Sequence, residues 1–253
     1  MPALVDQLVA QVIGLEVGLL SCQARLAAVT DDEALHDLRT TVRRLRSLLR
    51  PLRELPGVEQ LELAAGTVGR LTTPLRDREV LAAYLHQQGY QAAAERRLRL
   101  QPDAYRQVAQ SQELAHLLQI LDAFPRFIRA AQRQKLLKGL RSLIEKRLAR
   151  QWRKLGDALN DPSHDRHRLR LLIKRVRYAA EAYPELDKLP ANALSRLKKA
   201  QGALGDWHDC WQWLAQAEQQ VDLLPCVPVW HTTMTKAEAQ ADRVLDKLRA
   251  DCF

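Results

Sequence analysis

The sequence predicts an all-α protein, and three observations point to this fold class. Hydrophobic residues make up 47% of the 253 residues and aromatic residues 5%, and the abundance of Leu, Ala, Arg and Gln favours helices over strands. Apolar residues recur at three- and four-residue spacing along the chain. One helical pattern of charge occurs twice, which predicts two similar halves that pack together.

The repeated pattern is a stripe of cationic side chains. The two copies lie 131 residues apart and read His36-x-x-Arg39-x-x-x-Arg43-Arg44-x-Arg46 and His167-x-x-Arg170-x-x-x-Lys174-Arg175-x-Arg177. At 100° per residue, the histidine and three of the basic residues in each copy fall within about 80° of arc. Arg44 and Arg175 lie on the other side and are the weakest candidates for contact. The stripes contain almost no carboxylates, unlike an ordinary solvated helix that alternates acids and bases.

The first helix is predicted over residues 3 to 28 by an apolar stripe from Leu4 to Leu26. A capping box from Thr30 to Glu33 predicts a second helix that starts just before His36 and ends near Pro51 or Pro56-Gly57. In the second copy, Asp161 is the expected N-cap, Pro162 the first helical residue and Pro184 the stop. Proline and glycine separate the other predicted helices, which cover 58 to 72, 74 to 88, 90 to 99, 103 to 124, 126 to 160, 190 to 222 and 229 to 251.

These elements predict one domain that spans residues 1–253 and consists of two halves. The long helix before Asp161 occupies the place in the second half that the first helix occupies in the first. We therefore expect an N-terminal half over about 1–125 and a C-terminal half over about 126–253, divided near Pro125. No linker-like segment separates them, so they are expected to share an interface.

Charge and cysteine content narrow the function classes. A net charge of +9 and a pI near 9.6 suit a polyanionic partner, although excess charge also serves solubility. The four cysteines are scattered, which predicts neither a zinc ribbon nor a disulfide framework and fits a reducing cytoplasm. No signal peptide and no uncharged apolar run of 18 residues is recognised, so we expect neither secretion nor membrane association.

A column of arginines suits phosphate oxygens, because each guanidinium offers several N–H donors in a rigid, permanently charged fork. A linear polyphosphate presents charges at intervals comparable to the helical rise. Two stripes that face each other across a groove would surround such a polymer. The candidate polyphosphate-binding residues are His36, Arg39, Arg43, Arg46, Arg50, Arg76, His167, Arg170, Lys174, Arg177, Lys198, Lys199 and His208.

Some of these assignments stay open at the level of sequence. His36 and His167 are either packed residues, oriented by Asp37 and Asp165, or donors to an anion. Arg76 and His208 each precede an aspartate that either holds the cation in place or caps a helix. Glu181 stands where the first copy has Arg50, which limits that end of the groove. A further basic run, interpreted as solvated, comprises Arg129, Arg133, Lys135, Lys138 and Arg141.

Two other functions fit parts of the pattern. A nucleic-acid-binding module would also grip phosphates, but it usually interleaves aromatic residues for base stacking, and the stripes contain only Tyr178. Metal-dependent phosphohydrolases of the HD type use His-Asp pairs, which occur at 36–37, 164–165 and 208–209. Arginines around the histidines would repel a divalent cation. We therefore expect binding without catalysis, with neither a metal nor another cofactor.

The motifs resemble those of the CHAD family, a histidine-bearing α-helical domain. The resemblance rests on Leu35-His36-Asp37-Leu38-Arg39 with Arg43-Arg44-Leu45-Arg46, on His167-Arg168-Leu169-Arg170 with Ile173-Lys174-Arg175-Val176-Arg177-Tyr178, and on Leu204-Gly205-Asp206-Trp207-His208-Asp209. It implies two four-helix bundles related by pseudo-twofold symmetry, with a basic channel between them that binds inorganic polyphosphate. It places the binding residues at His36, Arg39, Arg43, Arg46, Arg76, His167, Arg170, Lys174, Arg177 and His208.

The resemblance also implies a setting for the protein. Family members look like targeting modules for polyphosphate bodies and often accompany a triphosphate-tunnel hydrolase domain. No acidic, strand-rich segment of that kind is recognised in this sequence. The expected partners are therefore inorganic polyphosphate and either polyphosphate-body proteins or a separate polyphosphate-processing enzyme, at polyphosphate granules in the cytoplasm.

Overall fold

The structure is a computed structural model that describes residues 2–99, 101–163 and 165–253. Within these ranges the chain forms helices and contains no β-strand. The predicted all-α class is therefore confirmed. The chain divides into two compact units, Met1–Ile144 and Glu145–Phe253.

The described residues form ten α-helices and two short 3₁₀ segments. The α-helices are α1 (Pro2–Ala28), α2 (Ala34–Leu49), α3 (Val58–Gln87), α4 (Gln91–Leu98), α5 (Gln101–Ala109), α6 (Gln112–Arg133), α7 (Leu140–Leu159), α8 (Arg166–Ala182), α9 (Ala193–Ala217) and α10 (Val227–Cys252). The 3₁₀ segments are Arg50–Leu52 and Val221–Cys226.

The first unit is built around four long helices. Helix α1 packs against α2 and α6, and α3 packs against the same two helices, so the four close into a ring. The short α4 lies on α3, and α5 lies on α1. The core is aliphatic and includes the fully buried Leu19, Leu26, Leu38 and Leu45. Burial of each such side chain contributes about 1.5–3 kcal/mol of hydrophobic stabilisation.

The second unit has a core to which α7, α8, α9 and α10 all contribute. Helix α8 supplies Leu169, Ile173 and Val176 at helical spacing, so one of its faces is buried along its length. The partners from the other three helices are Leu155, Ala158, Leu159, Leu197, Ala200, Ala203, Leu204, Ala241, Leu245 and Leu248.

The turn between α1 and α2 is organised by Asp31, and the predicted capping box was wrong. The Asp31 carboxylate accepts from the backbone amide of Glu33 at 3.1 Å, while the Thr30 hydroxyl donates to Asp31 at 3.0 Å. Arg25 binds Asp31 at 2.9 and 2.5 Å and holds the pKa of that carboxyl well below its usual value. A carboxylate accepts from the amide and also forms charge-assisted hydrogen bonds with the guanidinium, which are stronger than those of a neutral hydroxyl.

The start of α8 also differs from the prediction. Asp161 accepts from the amide and hydroxyl of Ser163, at 3.0 and 2.7 Å, within a turn before the helix. The N-cap is Asp165, whose side chain accepts from the backbone amide of His167 at 2.8 Å. The helix therefore begins at Arg166, because the later aspartate satisfies its first-turn donors.

Two prolines that were predicted to separate helices lie inside them. Pro74 is within α3 and Pro125 is within α6. Before Pro74, the Thr72 hydroxyl donates to the Val68 carbonyl at 2.9 Å, and the Thr73 hydroxyl donates to the Gly69 carbonyl at 2.8 Å. These side-chain bonds support the backbone near the position where proline removes an amide donor.

The division between the units consequently lies later than expected. Helix α6 continues past Pro125 to Arg133, and the boundary falls between Ile144 and Glu145. The helix predicted over 103 to 124 is two helices, because Ser111 caps α6 by accepting from the Leu114 amide at 3.3 Å. The helix predicted over 126 to 160 is likewise replaced by the end of α6 and by α7.

Helix α1 is long and apolar enough, over Ala3–Ala28, to cross a membrane by length and composition alone. The core helix of a folded domain can pass the same test. One face of α1 carries buried core residues such as Leu19 and Leu26, and it packs against α2 and α6. Its opposite side exposes Ile13, Val17 and Leu20.

Replacement of Gly57 by alanine is expected to destabilise the first unit more than the same change at Gly89. Both glycines flank α3 with positive φ, +76° and +83°, where an L-residue costs about 1–2 kcal/mol. A Cβ at Gly57 would lie 2.9 Å from the Phe127 ring, whereas Gly89 has open space. Displacing the ring should cost Gly57→Ala about 1 kcal/mol more.

The measurement is the free energy of unfolding from urea titration, followed by circular dichroism, for wild type, Gly57→Ala and Gly89→Ala. Equal losses in the two variants would contradict the predicted contact between Gly57 and Phe127.

Candidate functional site

The first stripe lies on the flank of α2, beside its buried apolar face. Leu38, Val42 and Leu45 are buried in the core. The neighbouring row of cations is only partly buried, and α3 packs against the same helix. That row consists of His36, Arg39, Arg43 and Arg46. Arg44, which helical geometry places outside the stripe, is exposed.

Arg39 is anchored to α3. Its Nη1 donates to the Gly69 carbonyl at 3.2 Å and to the hydroxyls of Thr72 and Thr73 at 2.9 and 3.1 Å. Burial lowers the pKa of Arg39, and the nearby Asp77 opposes this shift. An arginine held in this way remains charged and ties the stripe to the neighbouring helix.

Arg46 converges with Arg70 of α3, a residue that the sequence had not singled out. Near the position that a Cβ on Gly66 would occupy, Arg70 Nη1 lies at 3.5 Å and Arg46 Nη2 at 3.8 Å. The Nε of Arg46 is buried and has no hydrogen-bond partner among the described residues. Two guanidinium groups that approach each other above a glycine, which has no side chain, can together bind an anion.

Arg50 and Arg76 were predicted to line the site, and both lie beside buried carboxylates. Arg50 follows α2 in a 3₁₀ segment, and its Nε is 3.8 Å from Glu62, which also accepts from Arg53. Arg76 binds Glu79 at 2.8 Å. Glu79 in turn accepts from the Tyr105 hydroxyl at 2.5 Å and from Gln101 at 3.1 Å. These ion pairs anchor the two arginines within the first unit.

The second stripe lies on α8, beside the buried face of that helix, as the first stripe does on α2. Arg170, Lys174 and Arg177 are partly buried, whereas His167 in the first turn and Arg175 are exposed. Arg177 Nε donates to Gln201 of α9 at 2.8 Å, and its Nη1 lies 2.9 Å from Glu181. The expectation that Glu181 makes this end less basic agrees with that ion pair.

His208 joins the second stripe from α9. Its side chain is 8% exposed, and its ring centroid lies 5.4 Å from that of His167. Burial, together with the positive charges of Arg170, His167 and Lys174, lowers the pKa of His208 to about 4. The structure therefore brings together four predicted residues of this unit in one cationic cluster, which we call the His208 cluster: His167, Arg170, Lys174 and His208.

The two lysines predicted on α9 do not share this face. Lys198 and Lys199 are exposed. Lys199 precedes His208 by nine residues, which is about 180° around a helix, and Lys198 lies about 80° away. The residue of α9 that reaches toward the second stripe is Gln201, seven residues before His208 and within about 20° of it.

Two tryptophans that the sequence had not assigned flank His208. The rings of His208 and Trp211 stack at 5.8 Å with an interplanar angle of 14°, and Trp207 lies 6.1 Å from the imidazole. Trp211 follows His208 by three residues, so helical spacing could have placed it on the same face. The stripes themselves contain only one aromatic residue, Tyr178, so their pattern alone does not point to the tryptophans of α9.

The aspartates expected to orient the histidines have other partners. Asp37 binds Arg25 at 2.7 Å, and Asp165 accepts from a backbone amide. His164, part of one His-Asp pair, lies outside the described residues. Within the described ranges, no group of three or more His, Cys, Asp and Glu residues could hold a metal ion.

The basic run at the end of α6 has the exposed character expected of a solvated segment. Arg129 forms an ion pair with Asp6 of α1. The other members of the run are exposed, and they are Arg133, Lys135, Lys138 and Arg141.

Comparison with known proteins places these observations in a family. The CHAD domain model matches residues 15–218, a range that includes both stripes and His208. The crystal structure of the CHAD domain from the plant Ricinus communis is 21% identical in sequence and has a TM-score of 0.70. This similarity, which shows the fold, covers 97% of this chain and 90% of that chain.

The comparison with curated proteins finds no match. The family match nevertheless spans most of the chain and includes each motif on which the resemblance rested. The resemblance inferred from the sequence is therefore confirmed, and the chain belongs to the CHAD domain family.

Proposed function

We propose that this protein binds linear inorganic polyphosphate along the stripes of α2 and α8, without catalysis. The observation that carries the proposal is the grouping of cations on the partly buried flank of both helices. The acidic residues beside the histidines are engaged elsewhere, Asp37 by Arg25 and Asp165 by a backbone amide. We therefore expect an external anion to approach the stripes without displacing these two aspartates.

The geometry of the stripes suits a polymer of phosphates. Successive turns of a helix place cations at intervals of about 5.4 Å along one side. Guanidinium groups form charge-assisted, often bidentate hydrogen bonds with phosphate oxygens. Partial burial strengthens these contacts, because the charges are less screened than on an open surface.

Each unit offers a concentrated cluster for this contact. In the first unit, Arg46 and Arg70 converge over Gly66, with Arg43 one turn earlier in the stripe. In the second unit, the His208 cluster combines two imidazoles with an arginine and a lysine. We assign weaker roles to Arg50 and Arg76, which pair with buried carboxylates, and to Lys198 and Lys199, which lie away from the face of His208.

Charge reversal within the stripes should abolish binding, whereas the same reversal beside them should not. We expect the double variant Arg43→Glu with Lys174→Glu to lose at least 100-fold in affinity for long-chain polyphosphate, since each reversal replaces an attraction by a repulsion. Arg44→Glu with Arg175→Glu is the matched control, because it changes net charge equally at adjacent exposed positions.

The affinities would be measured at several salt concentrations. Wild type and the control should show steep salt dependence from the release of counterions. Equal affinities of the two double variants would contradict the assignment of the stripes.

A nucleic-acid-binding module is the second candidate, and one observation favours it. Trp211 is 52% exposed beside the His208 cluster, and an exposed aromatic ring can stack on a base. Competition of polyphosphate against single-stranded RNA and duplex DNA at equal phosphate concentration separates the two functions. We expect polyphosphate to displace both nucleic acids. Preferential retention of RNA or DNA would favour the second candidate.

The proposal that the protein is not an enzyme has a direct test. Incubation with polyphosphate and Mg²⁺ or Mn²⁺ should release no phosphate above that of the Arg43→Glu, Lys174→Glu variant. A metal-dependent release that this variant lacks would instead favour the phosphohydrolase alternative.

Binding without chemistry suits a targeting or organising role. We propose that the protein associates with polyphosphate bodies in the cytoplasm. Its partners there would be polyphosphate-body proteins or a separate enzyme that processes the polymer.

A further inference from the structure

The buried imidazole of His208 has an unusual environment for a histidine. Its Nδ1 is buried and has no hydrogen-bond partner among the described residues. Because Nδ1 is buried, Nε2 is the ring nitrogen that we expect to contact an anion. A buried histidine is commonly held by a carboxylate or carbonyl on one nitrogen. Here the charged groups that shift the pKa of the ring are cations, which disfavour its protonated form.

Trp211 forms the outer wall of this environment. Its ring stacks nearly parallel to the imidazole at 5.8 Å, and Trp207 lies at 6.1 Å. Trp211 is itself 52% exposed, whereas His208 is 8% exposed. The tryptophan therefore stands between the imidazole and solvent and removes water that would stabilise an imidazolium.

Charged groups surround His208 on several elements. From α8, the groups that act on the imidazole are His167, Arg170 and Lys174. On α9 itself, burial raises the pKa of the Cys210 thiol, and Asp209 and Asp206 add to this shift. From α10, Glu238 and Asp242 face Arg166. The acidic residue of the 3₁₀ segment before α10 is Asp222.

We propose that Trp211 is a positioning residue that keeps His208 neutral in the free protein, and that His208 takes up a proton from solvent when polyphosphate occupies the His208 cluster. This inference rests on the proposed function. The negative charge of a phosphate beside Arg170 and Lys174 changes the electrostatic potential at the imidazole from positive to negative. The imidazolium that forms can then donate from Nε2 to a phosphate oxygen.

The sign of the pH dependence follows from linkage. The pKa of His208 in the free protein is lowered to about 4, first by burial and then by the cations. A bound polyanion raises this pKa. Between the two pKa values the complex holds more protons than the free protein, so affinity increases as pH falls toward 4. One proton contributes at most about tenfold per pH unit.

The first unit should not share this behaviour. His208 follows His167 by 41 residues, and the residue that follows His36 by 41 is Asp77. An acid therefore stands at the corresponding sequence position, and it acts on Arg39. The coupling through a buried histidine at this position is therefore expected only in the second unit.

Proton uptake can be measured by titration calorimetry at pH 5.5 in two buffers with different ionisation enthalpies. Wild type and the control His231→Gln, which removes an exposed histidine of α10 outside the stripes, should take up most of one proton on binding polyphosphate. His208→Gln should lose most of this uptake, since its amide can donate near the position of Nε2 but cannot titrate.

The role of Trp211 has its own readout. Trp211→Ala should raise the pKa of His208 in the free protein toward 6.5, observed by NMR of the imidazole, and move the uptake to higher pH. Trp211→Phe should keep the pH profile of proton uptake close to that of wild type, because it keeps an aromatic ring beside the imidazole. The His208 signal is identified by its loss in His208→Gln.

The outcomes separate the two proposals. Polyphosphate binding by wild type without proton uptake, or equal uptake in wild type and His208→Gln, would overturn the proton coupling and leave the proposed function intact. An unchanged His208 pKa in Trp211→Ala would overturn the positioning role. If wild type does not bind polyphosphate at any pH, the proposed function fails, and the coupling fails with it.

Discussion

The packing of one apolar helix face determines the depth and spacing of the cations beside it. Leu38, Val42 and Leu45 fix the rotation of α2 in its core, and Leu169, Ile173 and Val176 do the same for α8. Rotation of either helix would bury charge and expose leucine, which costs free energy on both counts. The stripes are therefore held at the edge of the core. There the charges are partly shielded from water, which strengthens their electrostatic interactions, and they remain accessible to a ligand.

The distribution of carboxylates complements this packing. Asp31 and Asp37 are held by Arg25, Glu62 and Glu79 lie at arginines in the first unit, and Asp242 pairs with Arg166. These ion pairs connect helices and satisfy buried charge. Several of their cationic partners, namely Arg25, Arg53 and Arg166, lie outside the two stripes. A strongly basic chain can thus use many of its acids for folding and still present concentrated positive charge.

The helical periodicity of the sequence was enough to predict the fold class, the two stripes and the outward position of Arg44 and Arg175. The periodicity could not predict which of several nearby polar side chains would cap a helix or support its backbone. Asp31 organises the turn before α2 in place of Thr30, Asp165 caps α8 in place of Asp161, and hydroxyls before Pro74 support the backbone where α3 continues. The approach of Arg46 to Arg70 depends on the packing of α2 against α3, which periodicity within one helix does not reveal. The pairing of His208 with Trp211 lies within one helix and was open to prediction from their three-residue spacing.

Anchoring of the stripe to continuous helices has a consequence for the entropy of association. Helix α3 runs for 30 residues through Pro74, about 45 Å, and holds Arg39 by three hydrogen bonds. Few protein groups then lose freedom when the proposed polymer arrives, so the ordering cost falls on the flexible ligand. A row of similar cations also admits a repeating polymer in many registers. The number of such registers increases with polymer length, and it offsets part of the entropy that the polymer loses on binding.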